Sequence, residues 1–241
     1  IAPDKRALTL EHLLTMTAGL SWFEPIDYTN PGNDEIRMIN SPDPVAFVLG
    51  RSFATMPGER FQYNGGLPTL LGYLLEKAYG KRGDVIAREI LFEPLGIDDF
   101  DFRANRNGLL AYASGMRLTP RDIARIGLLY LNEGEWEGEQ LLSKKWVADS
   151  LTPHIESTRT LGYGYQWWIN RFDSPDISIW VATARGNGGQ RIFILEPLNM
   201  VVVITAGNYN MGKVPLSGIR ILEESIFPAA GLKGMKVKLV H

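Results

Sequence analysis

The chain has 241 residues, of which 45% are hydrophobic, and its 25 basic and 27 acidic side chains give a formal net charge of -2. This length and apolar content predict a folded protein with a large core rather than a disordered one. Because the charge is balanced, we expect no binding to nucleic acid or to an anionic membrane, and a small-molecule substrate as partner.

Few side chains could hold a metal ion or form a thiolate. The chain has no cysteine and only three histidines, His12, His154 and His241, which are far apart and form no HExxH motif. We therefore expect neither a metal nor another cofactor. No run of about 18 apolar residues predicts a membrane span, and the first residues have neither an initiator Met nor a signal-peptide core.

The first third of the chain predicts two short helices with a loop between them. Thr9 is the predicted N-cap of a helix that Gly19 ends, and Asp43 precedes a helix over residues 44–49. Residues 21–40 contain aromatic, proline and charged residues without a period, which is typical of a long ordered loop.

An apolar helix is predicted over residues 67–79, where Gly80 closes it. The passage before it, residues 57–66, is rich in turn formers and places Tyr63 just outside that helix. A further helix is expected over residues 82–90.

Two more helix starts carry clear capping signals. Thr119 can cap a helix that has Pro120 at its first position and runs to about residue 132. Ser143 is the predicted cap of a helix over residues 144–151.

From Tyr163 onward, runs of aromatic and β-branched residues predict an antiparallel sheet, followed by an amphipathic helix over about residues 215–226. The predicted strands cover residues 163–170, 177–183, 190–195 and 200–205. The predicted fold class is therefore α+β, with a mostly helical lobe over residues 1–160 and the sheet with its helix over residues 161–241, packed as one compact unit. Trp167, Trp168 and Trp180 could form a sugar-binding platform, but core positions are favoured for at least one of the adjacent tryptophans.

Five segments stand in a characteristic order: residues 10–20 read LEHLLTMTAGL, 57–63 PGERFQY, 115–125 GMRLTPRDIAR, 163–168 YGYQWW, and 188–190 GGQ, followed by Pro197 and residues 201–203 VVV. Together they resemble the class C β-lactamase, penicillin-binding-protein and esterase superfamily of serine hydrolases. The resemblance covers nearly the whole chain. It implies a β-lactamase/transpeptidase-like fold, an acyl-enzyme mechanism without metal or cofactor, and a periplasmic or cell-envelope location.

In that superfamily a Ser-x-x-Lys, a Tyr-x-Asn or Tyr-x-Ser loop and a Lys/His-Thr-Gly strand edge converge on one cleft. Serine is a weak nucleophile at neutral pH, so the lysine and the tyrosine together must activate it. The resemblance assigns the general base to Tyr63; the alternative is a structural tyrosine that anchors the loop to the following helix. Gly65 stands where the family usually has Asn or Ser, which removes a side-chain donor, and Asn64 is the substitute that we considered.

The third element is expected within residues 184–190. The substrate-binding candidates are Arg185, Gly186, Asn187, Gly188, Gly189 and Gln190. Small residues allow backbone N–H groups to approach a carbonyl oxygen, as an oxyanion hole requires. With no Lys or His at the cation position, Arg185 is the candidate stand-in, and recognition of a β-lactam carboxylate is in doubt. The alternative is a glycine-rich hairpin turn with a solvated Arg185.

No lysine has a serine or threonine three residues before it, so the chain contains no Ser-x-x-Lys. We expect that segment, with the nucleophile helix and the first strands, to precede Ile1, and the chain to be inactive without it. We considered two other hypotheses: a non-catalytic member of the fold that binds a ligand or peptide, and a protein whose N-terminal segment is supplied as a separate or cleaved chain. The substrate expected for the enzyme is a small ester, amide or β-lactam-like molecule.

Overall fold

The computed structural model describes residues 3–25, 27–105, 108–157, 162–209 and 217–238. Its residues fall into two units, Ile1–Thr119 and Pro120–His241. The helical residues that follow Pro120 therefore group with the sheet. The predicted division at residues 160 and 161, and the packing of the two parts as one unit, remain predictions.

The first unit is mainly helical. Its elements are α1 (Leu10–Leu14), α2 (Asp34–Ile39), α3 (Pro44–Leu49), α4 (Gly66–Tyr79), α5 (Gly83–Ala87), and an antiparallel ribbon of β1 (Phe100–Phe102) and β2 (Met116–Leu118). A 3-10 turn, Pro3–Ala7, precedes α1, and a π-helical turn, Arg88–Phe92, continues α5. Helix α4 packs against α1, α3 and α5.

The predicted helix caps of this unit are confirmed. The Thr9 hydroxyl accepts a hydrogen bond from His12 N at 3.2 Å, and the Asp43 carboxylate accepts one from Ala46 N at 2.9 Å. Gly80 ends α4 in the left-handed conformation, at φ 66°. These contacts satisfy backbone groups that a helix terminus leaves without an intrahelical partner.

Two expectations for this unit are wrong. Helix α1 ends at Leu14 rather than near Gly19, because Met16 adopts a left-handed φ of 59° that a helix cannot contain. Residues 21–40 are not all loop, because Asn33 caps α2: its side-chain oxygen accepts from Glu35 N at 2.9 Å and from Ile36 N at 3.3 Å.

The second unit contains the main sheet. Its elements are α6 (Pro120–Leu131), β3 (Glu135–Trp136), β4 (Glu139–Gln140), α7 (Lys144–Leu151), β5 (Gly162–Tyr163), β6 (Trp168–Asp173), β7 (Ser178–Arg185), β8 (Arg191–Leu195), β9 (Met200–Ile204), α8 (Ser217–Ile221), α9 (Phe227–Ala229) and β10 (Lys236–Val237). The sheet order is β10-β6-β7-β8-β9, with β5 also paired to β6, and every pairing is antiparallel. A π-helical turn, Leu222–Ile226, joins α8 to α9.

Helices cover both faces of this sheet. On one face, Trp167, Ile169, Ala182 and Ile194 pack with Tyr130 and Leu131 of α6 and Leu151 of α7. On the other face, the strand residues Phe172, Ile179, Val181, Phe193 and Leu195 pack with Leu222, Phe227 and Met235. The predicted α+β fold, an antiparallel sheet flanked by helices, is confirmed.

The predicted strands are present with shifted bounds. The strand expected over residues 163–170 is interrupted, because Gln166 has a left-handed φ of 65° and separates β5 from β6. The C-terminal helical segment extends to Ala229, three residues further than expected, while residues 215 and 216 lie outside the described residues. Trp167 and Trp168 are both buried, as predicted for core residues, whereas Trp180 is 49% exposed.

Candidate active site

Tyr63 lies in the loop that leads into α4 and is partly exposed. The loop is fixed immediately before it, because Gln62 N donates to the Met16 carbonyl at 2.9 Å and the Gln62 amide donates to the Trp22 carbonyl at 2.6 Å. The phenol is therefore held on a rigid segment without being sealed in the core.

A second tyrosine lies close to Tyr63. The pKa of Tyr28 is raised, first by burial and then by electrostatic repulsion from Glu35, Glu24 and Tyr63. A buried phenol beside acidic groups keeps its proton, so Tyr28 can donate a hydrogen bond but does not act as a base near neutrality.

Asn64 and Gly65, the candidates for substrate binding next to Tyr63, make structural contacts. Asn64 is 2% exposed, and its side-chain oxygen accepts from Gly66 N at 2.8 Å at the start of α4. Gly65 N donates to Glu24 Oε2 at 2.7 Å. A substrate-binding role for either residue remains a prediction.

A pair of carboxyl groups lies directly against Gly65. A Cβ atom built on Gly65 would lie 3.1 Å from Glu24 Oε2 and 3.2 Å from Glu35 Oε2. Glu24 also accepts from Trp22 Nε1 at 2.6 Å and from the Tyr28 hydroxyl at 3.2 Å, while the Ser114 hydroxyl lies 3.2 Å from Glu35 Oε1. Burial, reinforced by the neighbouring Glu24, raises the pKa of Glu35 to about 8.

The second group of candidates forms the turn between β7 and β8. Gly186 N donates to the Gln190 carbonyl at 3.0 Å, and Gly189 N donates to the Gly186 carbonyl at 3.2 Å. Gly188 and Gly189 have φ of 89° and 102°, a backbone conformation that favours glycine. Asn187 is exposed at the tip of the turn.

Gln190 ties this turn to the segment after β9. Its side-chain amide donates to the Ala206 carbonyl at 2.7 Å and lies 2.9 Å from the Tyr209 hydroxyl. A Cβ atom on Gly188 would lie 2.8 Å from the Tyr209 ring, so the turn and this segment are in close contact. The glycines are required by backbone conformation and packing.

Arg185 is held in place by buried partners. Its Nη2 donates to Asn170 Oδ1 at 2.7 Å, and its guanidinium carbon lies 5.0 Å from the centre of the Trp168 ring. Asn170 is 2% exposed and donates in turn to the Thr183 hydroxyl at 2.7 Å. The glycine-rich hairpin turn of the alternative interpretation is present, and Arg185 beside it is partly exposed and hydrogen-bonded to Asn170, so its role in substrate binding remains a prediction.

The structure thus groups Tyr63, Asn64 and Gly65 in the first unit and residues 185–190 in the second. The residues that sequence reasoning missed are Glu24 and Glu35, since nothing in the sequence places two glutamates eleven positions apart against Gly65. Within the described ranges, no group of His, Asp and Glu side chains could hold a metal ion, and no helix has the length and apolarity to cross a membrane.

The helix-covered antiparallel sheet and the ordered motifs define a protein of the β-lactamase/transpeptidase class. The family model for beta-lactamase matches residues 2–223. The chain therefore belongs to the beta-lactamase family. The predicted family resemblance is confirmed.

Solved structures share this fold at low sequence identity. A Bacillus anthracis protein assigned as a 6-aminohexanoate-dimer hydrolase has a TM-score of 0.76 and 22% identity. The match covers 93% of this chain and 62% of the Bacillus anthracis chain. A Bacteroides dorei protein assigned as a β-lactamase has a TM-score of 0.67 and 20% identity, and the match covers 90% of this chain and 72% of the Bacteroides dorei chain. A Bacillus halodurans penicillin-binding protein has a TM-score of 0.61 and 18% identity, and the match covers 92% of this chain and 76% of the Bacillus halodurans chain. The chain spans 62% of the length of the Bacillus anthracis protein.

Proposed function

We propose that this chain is the larger part of a serine hydrolase that forms an acyl-enzyme with a small ester, amide or β-lactam-like substrate, and that Tyr63 is its general base. The observation that carries the proposal is the placement of Tyr63: the phenol is partly exposed on a loop fixed at Gln62, just before the buried first turns of α4. A catalytic base has to be both reachable and held in one geometry.

The nucleophile in this proposal is the serine of a Ser-x-x-Lys segment encoded ahead of Ile1, as the family resemblance implies. The serine oxygen forms a bond to the substrate carbonyl carbon while the Tyr63 oxygen takes the hydroxyl proton. The bond from that carbon to the leaving group then breaks, and Tyr63 returns the proton to the leaving group. Water hydrolyses the resulting acyl-serine ester in the second half of the reaction.

The turn of residues 185–190 supplies the substrate-facing wall in this proposal. Since Gly186 N and Gly189 N are bonded within the turn, the remaining candidate oxyanion donors in it are the backbone amides of Asn187, Gly188 and Gln190. No lysine or histidine stands at the family's cation position, and Arg185, the candidate stand-in, already donates to Asn170 Oδ1 at 2.7 Å. A β-lactam carboxylate therefore lacks its usual cationic partner, so esters and amides fit this residue set better than β-lactams do.

The test is hydrolysis of a p-nitrophenyl-ester panel and of nitrocefin by the full-length protein, including all residues encoded before Ile1. Tyr63→Phe removes only the hydroxyl and should lower kcat by about 100-fold or more, the usual contribution of a general base. Tyr79→Phe is the matched control, because Tyr79 is 54% exposed at the far end of α4.

Unchanged ester turnover in Tyr63→Phe would remove Tyr63 from the mechanism. If no Ser-x-x-Lys is encoded upstream and no substrate of the panel is turned over, the hydrolase proposal is wrong, and ligand binding without turnover is the function to test next.

A further inference from the structure

The contact between Glu24 and Gly65 links two distant parts of the first unit. The residues are 41 positions apart, yet Gly65 N lies 2.7 Å from Glu24 Oε2. Gly65 is two residues after Tyr63, so this bond fixes the loop on the side of Tyr63 opposite to Gln62. Hydrogen bonds to a charged acceptor are stronger than those between neutral groups.

Glu24 is itself held by two further donors. Trp22 Nε1 bonds the same oxygen at 2.6 Å, and the Tyr28 hydroxyl bonds Oε1 at 3.2 Å. Both donors belong to the segment that precedes α2. These two donors, together with Gly65 N, orient the carboxylate.

Glu35 completes the arrangement from the first turn of α2. Its side chain is 4% exposed and reaches the same face of Gly65 as Glu24. Burial and the adjacent Glu24 raise the pKa of Glu35 to about 8, so Glu35 holds its proton near neutrality, whereas Glu24 is partly exposed. The titratable groups that act on Tyr28, at the centre of this cluster, are Glu35, Glu24 and Tyr63.

We propose that Glu24 is a positioning residue for Tyr63, and that its bond to the Gly65 amide, with the Glu35 side chain packed beside it, keeps the Tyr63 loop in its reactive position. This inference rests on the proposed function, since it concerns the same phenol. It also explains the glycine at position 65: the carboxyl pair occupies the space that an Asn or Ser side chain would need.

The experiment combines three variants with a matched control. Glu24→Leu removes the acceptor of the Gly65 N–H, Glu24→Gln keeps an oxygen acceptor without charge, and Glu35→Gln removes the ionisable group beside Glu24. Glu76→Gln is the control, because Glu76 makes the same kind of contacts elsewhere in the unit: it accepts from Gly83 N at 2.9 Å and from the Tyr112 hydroxyl at 2.6 Å.

The first measurement follows the Gly65 amide by NMR, as its chemical shift against pH and its hydrogen-exchange protection. In the unaltered protein the shift should titrate near pH 8, where Glu35 loses its proton. Glu35→Gln should abolish that titration. Glu24→Leu should lower protection by about 10-fold to 100-fold, the loss expected for a hydrogen bond to a charged acceptor, and Glu24→Gln should recover part of it.

The second measurement is kcat and KM for ester hydrolysis by the full-length protein. Glu24→Leu should lower kcat by about 100-fold with KM changed less than about 3-fold, because a misplaced catalytic group costs mainly turnover. Glu35→Gln should retain activity above pH 8, where the unaltered protein loses it. Glu76→Gln should match the unaltered protein in both measurements.

The two proposals fail in different ways. The positioning role is overturned if the Gly65 amide does not respond to Glu24→Gln, Glu24→Leu or pH. It is also overturned if the amide responds while kcat stays constant. Absence of hydrolysis in the unaltered full-length protein overturns the proposed function instead, whatever the Gly65 amide shows.

Discussion

Replacing Asn170 by Ala should destabilise the sheet unit, because this buried amide connects two strands to the Arg185 guanidinium. The substitution removes the bond from Asn170 Nδ2 to the Thr183 hydroxyl, at 2.7 Å, and the bond that Oδ1 accepts from Arg185, also at 2.7 Å. A neutral hydrogen bond contributes about 1 kcal/mol and one to a charged group about 1.5–3 kcal/mol. Since water can reach the partly exposed Arg185, the lower values apply, and the expected loss in free energy of unfolding is about 2–3 kcal/mol.

Urea denaturation followed by tryptophan fluorescence measures this loss, because most of the tryptophans report on the second unit: Trp136, Trp146, Trp167, Trp168 and Trp180. Asn40→Ala is the control; the exposed Asn40 amide bonds only the Ile36 carbonyl among the contacts described, so its loss should be below about 1 kcal/mol. In a double-mutant cycle with Arg185→Met, the Asn170 and Arg185 effects should couple by about 1–2 kcal/mol. A loss under about 1 kcal/mol for Asn170→Ala, with additive double-mutant effects, would refute this account of Arg185.

Three smaller predictions follow from single contacts. Gly188→Ala should lower the free energy of unfolding by about 1–3 kcal/mol, because Gly188 has a φ of 89° and the added Cβ would meet the Tyr209 ring. Gly207→Ala should cost less, because a Cβ there meets nothing within 4 Å, and equal losses would contradict the packing argument. The folded-state pKa of Glu35 is about 8, above its ordinary value of 4.5, so the folded state binds more protons between these two pH values and thermal stability should fall as pH rises from 4.5 to about 8. Glu35→Gln should flatten this pH dependence, and an unchanged slope would assign the dependence to other groups. Ser143→Ala should lower the free energy of unfolding by about 1 kcal/mol, because the Ser143 hydroxyl caps α7, whereas Ser143→Asp should preserve stability. Equal losses for the two variants in chemical denaturation would show that capping is not the cause.

Much of the fold could be predicted because local signals decide it. The caps at Thr9, Asp43 and Ser143 involve residues three positions apart or less, so their pattern can be read from the chain. Most core residues on strands β6, β7 and β8 are β-branched or aromatic, namely Phe172, Ile179, Val181 and Phe193. Short elements escaped prediction, since two-residue strands such as Lys236–Val237 carry almost no periodicity.

The candidate site was predictable only where a motif marks it. Tyr63 and the turn at residues 185–190 follow from segments similar to the family's motifs. The contacts of Glu24 with Gly65, and of Asn170 with Arg185, join residues 41 and 15 positions apart. Such contacts depend on tertiary packing, which leaves no periodic trace in the sequence, and for the same reason the carboxyl pair was not anticipated.

The space beside Gly65 limits how this protein can be engineered. Installing the Asn or Ser that its relatives usually carry would drive a side chain into two glutamates at 3.1–3.2 Å. A designer who wishes to transplant a lactamase-type loop must therefore exchange positions 24, 35 and 65 together. In libraries that vary position 65 alone, every side chain larger than hydrogen should require the two glutamates to shift.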